Sequence, residues 1–576
     1  MKKYQKYTEE VVLKRLFPFC LIFLFTSFQF LYAQNWDFIL REGGQNSESA
    51  NATAFDSKGN VYVVGAFEGE ITLNDKKTKL KSKGGKDIFL AKYDTQGKLV
   101  WAKRAGGINN DIGYGIAINS KDEVCITGFF SLKADFSNLS LNNDTGFSSV
   151  FVAKYNSDGG IKWANEFTIT LTGQESETRG IALDKQDNIY LVGAIQGISS
   201  KKGNQIDFTT KRNDIFLAKY NSKGNLLLSK KFGGNSDDTG YGITITQETV
   251  FITGIFKDKM SFGNQEIESK SFSNDGFLAA LNTEFEPKWI RSYGGHQEYD
   301  HAWAVDTDSE GNVYMTGRVE SGSTLDGTAI YTVGKSDILL TKYDKEGNLL
   351  WFRLAGGTGW DVAHALTITE KDEIYIAGIF EGKASFGSKT LYSNGGWDSF
   401  VALYDTEGNA KEAYQVGGDG NEAFYGLNSS KDGKLALVGR SESYSLSINE
   451  KTLSTKGNSD ALILAMTSSK NTTTTSDDTT KDLDSEEIKN FTPLIYPNPT
   501  NGKLTIRFEE PIKPNLTLRI YDRIGRFVEE YKIKNAEIDF PQNEISLSLS
   551  HLPQGVYLLK INTDLQEYTH KISVEK

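Results

Sequence analysis

The chain has 576 residues, more than one ordinary domain holds, with 12% aromatic residues, 56 Gly and only 9 Pro. Its formal net charge is −11, which leaves no electrostatic footprint for nucleic acid, and its Lys and Arg are scattered, which disfavours an anionic membrane surface as partner. Glycine in that abundance beside so many aromatics suits short strands joined by tight turns.

Lys2, Lys3, Lys6, Lys14 and Arg15 precede the apolar run LFPFCLIFLFTSFQFLYA. A charged region followed by a hydrophobic one reads as a signal peptide over residues 1–33, with cleavage after Ala33; an N-terminal membrane anchor is the alternative. No later segment is long and apolar enough to span a bilayer. Of the two cysteines, Cys20 lies in this leader and Cys125 sits inside VCITG as a buried apolar residue. The mature chain then holds no intrachain disulfide, and its core must supply its stability.

Residues 86–107, KDIFLAKYDTQGKLVWAKRAGG, read as two strands around a tight turn, closed by Gly-Gly. Close copies stand at 213–234 and 336–357. The Gly-Gly pairs end at Gly44, Gly107, Gly234, Gly295, Gly357 and Gly418, about 62 residues or twice that apart, and one pair is missing near Glu166-Phe167. A second marker, Gly65, Gly128, Gly193, Gly254, Gly317, Gly378 and Gly439, counts seven repeats.

The second repeat shows the parts: strands at Tyr114–Asn119, Val124–Phe130, Val150–Tyr155 and Ile161–Glu166, with a variable stretch between the second and third. Four antiparallel strands repeated seven times predict an all-β chain with a seven-bladed propeller over residues 34–467. The N-terminal segment NWDFILREGG matches a fourth strand, with Trp36 taken as the equivalent of Trp101, Trp163, Trp289 and Trp351. The last repeat stops after ALILAMTSS without one, so the two chain ends are expected to share a blade and close the ring. Residues 468–490, polar, Thr-rich and acidic, read as a flexible linker, and residues 491–576 as a small β-sandwich.

Two resemblances add to this. Tyr496, Pro497, Asn498, Pro499, Gly502, the strand Leu518–Asp522 with Gly525, the run Leu552-Pro553-Gln554-Gly555-Val556-Tyr557 and the final Lys571-Ile572 resemble the type A sorting domain of the type IX secretion system of Bacteroidetes. The resemblance implies an Ig-like sandwich that engages the type IX machinery after signal-peptide export. The cargo would then be released outside the cell or held on its surface. The repeats, with Gly59-Asn60-Val61-Tyr62…Gly65 and Asp87-Ile88-Phe89-Leu90-Ala91-Lys92-Tyr93, resemble the bacterial seven-bladed propeller repeat over about 430 residues. That family implies the fold and no agreed activity.

Two registers stand out near the start of each first strand. Glu48, Asp111, Ser176, Asp238, Asp300, Asp361 and Glu422 are acidic in six of seven repeats. They are either backbone acceptors in the interblade turns or a cation-binding rim; repetition in every blade favours the acceptors. Three residues on come Asn51, Tyr114, Arg179, Tyr241, Trp303, His364 and Tyr425, too varied for one uniform structural job. Aromatic and planar polar groups around a channel mouth suit sugar or peptide stacking, with interblade packing as the plainer reading. The densest cluster, with Asp300, His301 and Trp303 in one repeat and Trp360, Asp361 and His364 in the next, places the expected ligand site at blades five and six.

No zinc spacing, nucleophile elbow or phosphate loop occurs in the sequence, so no catalytic residue, metal or cofactor is assigned. The expectation is a monomeric, exported propeller that binds an extracellular glycan or protein. The alternatives are a polysaccharide lyase or hydrolase using His364, Tyr425, Arg179 or paired carboxylates, and a structural surface protein.

Overall fold

The computed structural model of the chain describes residues 36–143, 147–167, 176–199, 208–210, 212–270, 273–296, 299–448 and 451–467. In the C-terminal part it describes 494–496, 503–507, 516–522, 527–533, 544–562 and 567–574. The predicted leader and linker lie outside the described residues. The chain divides into two compact units, Met1–Asn471 and Thr472–Lys576. Among the described residues no helix is long and apolar enough to cross a membrane.

In the first unit the strand pairings among the described residues resolve into seven four-stranded antiparallel sheets. The second sheet is typical: Ile112–Ile118, Val124–Ser131, Ser148–Tyr155 and Ile161–Phe167 pair in that order. Its third strand is buried along its whole length because both faces of a blade pack on neighbours. The first strand of each sheet lies beside that of the next, and the seventh, Glu422–Ser429, lies beside the first, Ser49–Phe55. The sheets therefore form a closed β-propeller.

Closure uses both chain ends. Trp36–Gly44 pairs antiparallel with Asp460–Thr467, with Ile39 opposite Leu464 and Arg41 opposite Leu462. One sequence equivalence is corrected. Phe38 lies opposite Ala465 as Trp101 lies opposite Lys92, each two residues past the same bulge, so Phe38, not Trp36, takes the place of Trp101. Phe38 lies under Gly97 as Trp101 lies under Gly159. The tight turns need these glycines twice over: Gly159 has φ +79°, and a Cβ there would lie 2.9 Å from the Trp101 ring. The indoles in turn donate from Nε1 to the next blade's turn, Trp101 to Ser157 O at 3.0 Å and Trp351 to Thr406 O at 3.0 Å.

The variable stretches form small hairpins, such as Lys133–Phe136 with Leu139–Asn142, and these reach back to the preceding blade. Gly233 and Gly234 pair with Ser261 and Met260, and Gly356 and Gly357 with Ser385 and Ala384. The Gly-Gly pairs are thus docking points between blades. A Cβ on Gly107 would lie 1.8 Å from Lys133 O, and one on Gly234 1.8 Å from Lys259 O.

The second unit holds a three-stranded sheet, Leu494–Tyr496, Lys503–Arg507 and Glu544–Ser548. A four-stranded sheet runs in the order Phe527–Ile533, Leu516–Asp522, Gly555–Asn562, Glu567–Val574. They enclose a core that includes Leu504, Ile520, Leu559 and Ile572. Tyr557 donates its hydroxyl to Pro553 O at 2.8 Å, pinning the turn that starts its strand. Pro497, Asn498, Pro499, Gly502 and Gly525 lie outside the described residues.

Candidate functional site

The two registers at the mouth of the ring separate, except that Glu48 of the acidic one also lines the cavity on the ring axis. The acidic one faces the blade junctions. Asp111 accepts the N–H of Gly107 at 2.7 Å and that of Ser131 at 3.0 Å. Asp238 accepts from Gly234 and Lys257, Asp361 from Gly357 and Glu381, and Glu422 from Gly418 and Ser443. Each carboxylate ties the outgoing strand of one blade to the first two strands of the next. Asp300 instead accepts from Glu320 N and the Ser323 hydroxyl, both of its own blade.

A second acid stands opposite. Asp87, Asp214, Asp275, Asp337, Asp398 and Asp460 open the third strands, and an added Cβ on Gly106 would lie 2.8 Å from Asp87 and 2.9 Å from Asp111. In the one junction without Gly-Gly, both acids are replaced together, by Ser149 and Ser176, and Phe167 fills the space against Phe216 at 4.4 Å. Burial pushes Glu48, Asp111, Asp300 and Asp361 up to about 7 and Asp238 up to about 8, against the pull of their N–H donors. Arg104, Lys231 and Arg41 offset the charge at three junctions by pairing with Asp87, Asp214 and Asp460.

The varied register faces inward. Asn51, Tyr114, Arg179, Tyr241, Trp303, His364 and Tyr425, one from each first strand, all line a single cavity of about 620 Å³. Residues from all seven blades can converge only around the ring axis. The Arg179 guanidinium is caged by Tyr114 at 4.9 Å, Tyr241 at 5.2 Å and Trp303 at 5.9 Å, centroid distances suited to cation–π attraction. Its Nε meets Glu177 at 2.6 Å. Tyr241 and Trp303 are stacked at 4.3 Å, with 16° between their planes.

Asn51 donates to Gly113 O of the next blade at 2.9 Å, and His364 Nδ1 lies 3.0 Å from Phe424 O. A carbonyl accepts, so Nδ1 carries the hydrogen and the Nε2 lone pair is left as an acceptor. Burial holds the His364 ring neutral, with its pKa lowered to about 4.

Of the other expected site residues, Asp300 and Asp361 do not reach the cavity and serve the junctions. His301 lies behind Trp303, at 5.6 Å between ring centroids, and Trp360 lies against Arg318 and Lys335. Sequence reasoning missed Lys86, Arg440 and Glu442, which line the cavity. A signal for Arg440 was available. The residue after each strand glycine is Ala66, Phe129, Ala194, Ile255, Arg318, Ile379 and Arg440, five apolar residues and two arginines.

A propeller followed by a small sandwich defines the class, and the comparisons with known proteins say how it travels. Residues 494–575 match the secretion system C-terminal sorting domain. The chain is therefore exported by the type IX secretion system, whose machinery that domain engages, to the cell surface or the extracellular space. An uncharacterized WD repeat-containing protein of Acanthamoeba polyphaga mimivirus is 20% identical over 500 residues, covering 69% of this chain and 35% of its own. Regulatory protein FlaEY of Caulobacter vibrioides is 23% identical over 416 residues, covering 69% of this chain and 37% of its own. The chain thus spans about a third of the length of these relatives. Among solved structures, a copper-bound fungal alcohol oxidase of the AA5 family matches at 11% identity and TM-score 0.36, covering 94% of this chain and 100% of its own. A protein of unknown function from Dyadobacter fermentans matches at 9% identity and TM-score 0.34, covering 75% and 99%.

Proposed function

We propose that the propeller binds an extracellular glycan in its axial cavity, once the sorting domain has brought it outside the cell. The observation that carries this reading is the convergence of one side chain from each blade, of five different kinds, on a single cavity. A closed ring needs its axis filled, but filling alone is served by one repeated apolar residue. Here the lining offers aromatic faces for the C–H face of a sugar ring, and Arg179, Asn51 and His364 Nε2 for its hydroxyl groups. A glycan array followed by titration of the full chain tests it. Trp303→Ala should weaken binding at least tenfold, and His364→Gln should weaken it with little loss of melting temperature. Unchanged affinity in both variants would refute the assignment.

A second reading, a polysaccharide lyase or hydrolase, is favoured by one feature: His364 Nε2 is an unprotonated acceptor beside Tyr425, with ring centroids 5.6 Å apart. Release of shortened or unsaturated products from a polysaccharide panel would distinguish it from simple binding.

A further inference from the structure

The axial cavity is charged as well as aromatic. Lys86, Arg179 and Arg440 line it from blades one, three and seven, and Glu48 and Glu442 are the acids in its described lining. Both acids are already engaged. Glu442 pairs with Arg440 Nη2 at 3.1 Å, and Glu48 accepts the N–H of Gly44 at 2.9 Å. Burial raises the pKa of Glu48 to about 7, so it is no full counter-charge near neutral pH. Among the described residues Lys86 Nζ has no ion-pair partner, and the Nε of Arg440 is buried without a hydrogen bond. A chain of net charge −11 thus keeps an excess of positive charge around one cavity.

Arg179 is the strongest part of that excess. A guanidinium donates from Nε and from both Nη groups. Glu177 takes the Nε hydrogen at 2.6 Å. The Tyr114, Tyr241 and Trp303 rings attract the charge, but among the described residues no acceptor meets either Nη. The side chain keeps 33% of its surface open, and it lines the cavity. Glu177 therefore fixes the fork at one corner and leaves the Nη edge to whatever enters. The field reaches the aromatic wall as well: besides burial, which is the larger cause, the Arg318 and Arg179 charges help to hold the His364 ring neutral.

We propose that the axial cavity selects an acidic saccharide, a uronate whose carboxylate sits on the Nη edge of Arg179 while its sugar ring lies against the aromatic wall. The inference rests on the cavity being a glycan site and narrows the ligand from sugars in general to charged ones. A neutral sugar would occupy the Nη hydrogens with hydroxyl oxygens and leave the positive excess uncompensated. A carboxylate meets both needs, because its two oxygens match the planar fork and its charge strengthens each hydrogen bond. The unpaired Lys86 adds long-range attraction for the further carboxylates of a polyuronate chain. A sulfate ester is the competing anion, and an acidic peptide the competing polymer.

The test is calorimetric titration of the full chain with trigalacturonate and trimannuronate, with the methyl ester of each, with a sulfated carrageenan oligosaccharide and with casein-derived peptides. Esterification removes the charge and keeps the sugar. At least one uronate should bind about tenfold or more tighter than its ester. Arg179→Gln and Arg179→Lys should each narrow that ratio to about threefold or less, since an ammonium keeps the charge without the fork. Should Arg179→Gln melt early with Glu177 left unpaired, Arg179→Lys, which keeps a cation beside Glu177, carries the test. Trp303→Ala should weaken acid and ester together. Esters that bind as tightly as acids, or an undiminished ratio in the Arg179 variants, would overturn the acid preference and leave the cavity reading standing. Tighter binding of the sulfated oligosaccharide than of either uronate would overturn the carboxylate assignment alone. Binding of the peptides and of no saccharide would overturn both readings.

Discussion

Arg41 is the residue on which closure of the ring can be tested with the least disturbance. It comes from the N-terminal strand, and all its partners lie 400 or more residues away in the last blade. Its Nε pairs with Asp460 at 2.7 Å, its Nη2 donates to Ser443 O at 2.6 Å, and its Nη1 to Leu453 O at 3.2 Å. Both charged side chains are shut away from water, at 3% and 0% exposure. Arg41→Met keeps much of the volume and removes the charge, leaving Asp460 as an uncompensated buried carboxylate. Breaking one side of such a pair costs about 3–5 kcal/mol. At about 2.1 cal/mol/K per residue, the roughly 430 residues of a propeller unfolding as one unit carry an unfolding entropy of about 0.9 kcal/mol/K. The melting temperature should therefore fall by about 3–6 °C in differential scanning calorimetry. Adding Asp460→Asn removes the stranded charge and should restore more than half of the loss, a positive coupling in a double-mutant cycle. A single variant within about 1 °C of the parent, or a double variant no better than the sum of its parts, would refute the closure argument.

Other outcomes follow from the junctions and from the C-terminal unit. Gly107→Ala puts a Cβ 1.8 Å from Lys133 O, so the second blade must move off the first; a loss of about 1–3 kcal/mol or more is expected in urea unfolding. The junction carboxylates with raised pKa values hold protons in the folded state that the unfolded chain has released between about pH 4 and 7. Their contribution to stability is therefore greatest near pH 4 and is lost as pH rises through 7. His301 and His364, lowered by burial, work the other way below about pH 6.5 but are outnumbered. Melting temperature should accordingly be higher at pH 5 than at pH 8, and the difference should shrink in Asp238→Asn; a flat or inverted profile would contradict the burial argument. Deletion of residues 496–576 should leave a folded propeller in the periplasm, seen by cell fractionation, and normal surface levels would count against the sorting role.

Much of the fold was legible because a propeller writes itself seven times. The strand glycines from Gly65 to Gly439 and the Gly-Gly pairs recur at one spacing, and recurrence separates signal from local accident. The closing strand was legible for the same reason, a missing fourth strand at one end and a spare one at the other. Its register was missed: matching indole to indole chose Trp36, although Phe38 stands six residues before Gly44 as Trp101 stands six before Gly107. The reason for the Gly-Gly pairs was also hidden, since it lies in backbone atoms of another blade. Within the site, the inward register was visible as variety at a fixed position. Lys86, Glu442 and Arg440 come from other strands and turns, and only folding brings them to the same cavity.

The registers that repeat most closely are each accounted for by one contact between blades. The acids take backbone N–H groups, the glycines admit a neighbouring backbone or ring, and the indoles reach the next turn. Symmetry of sequence follows symmetry of task. The inward register shares a position without sharing a contact: Asn51 bonds to the next blade, Arg179 to Glu177 of its own, and Tyr241 stacks on Trp303. Blade five departs further, with His301 and Trp303 nitrogens unpartnered and Arg318 in a largely apolar register. A ring that had only to close would have no use for such differences. On the proposed glycan reading, a ligand, which has no sevenfold symmetry of its own, would draw on the positions where the repeats disagree.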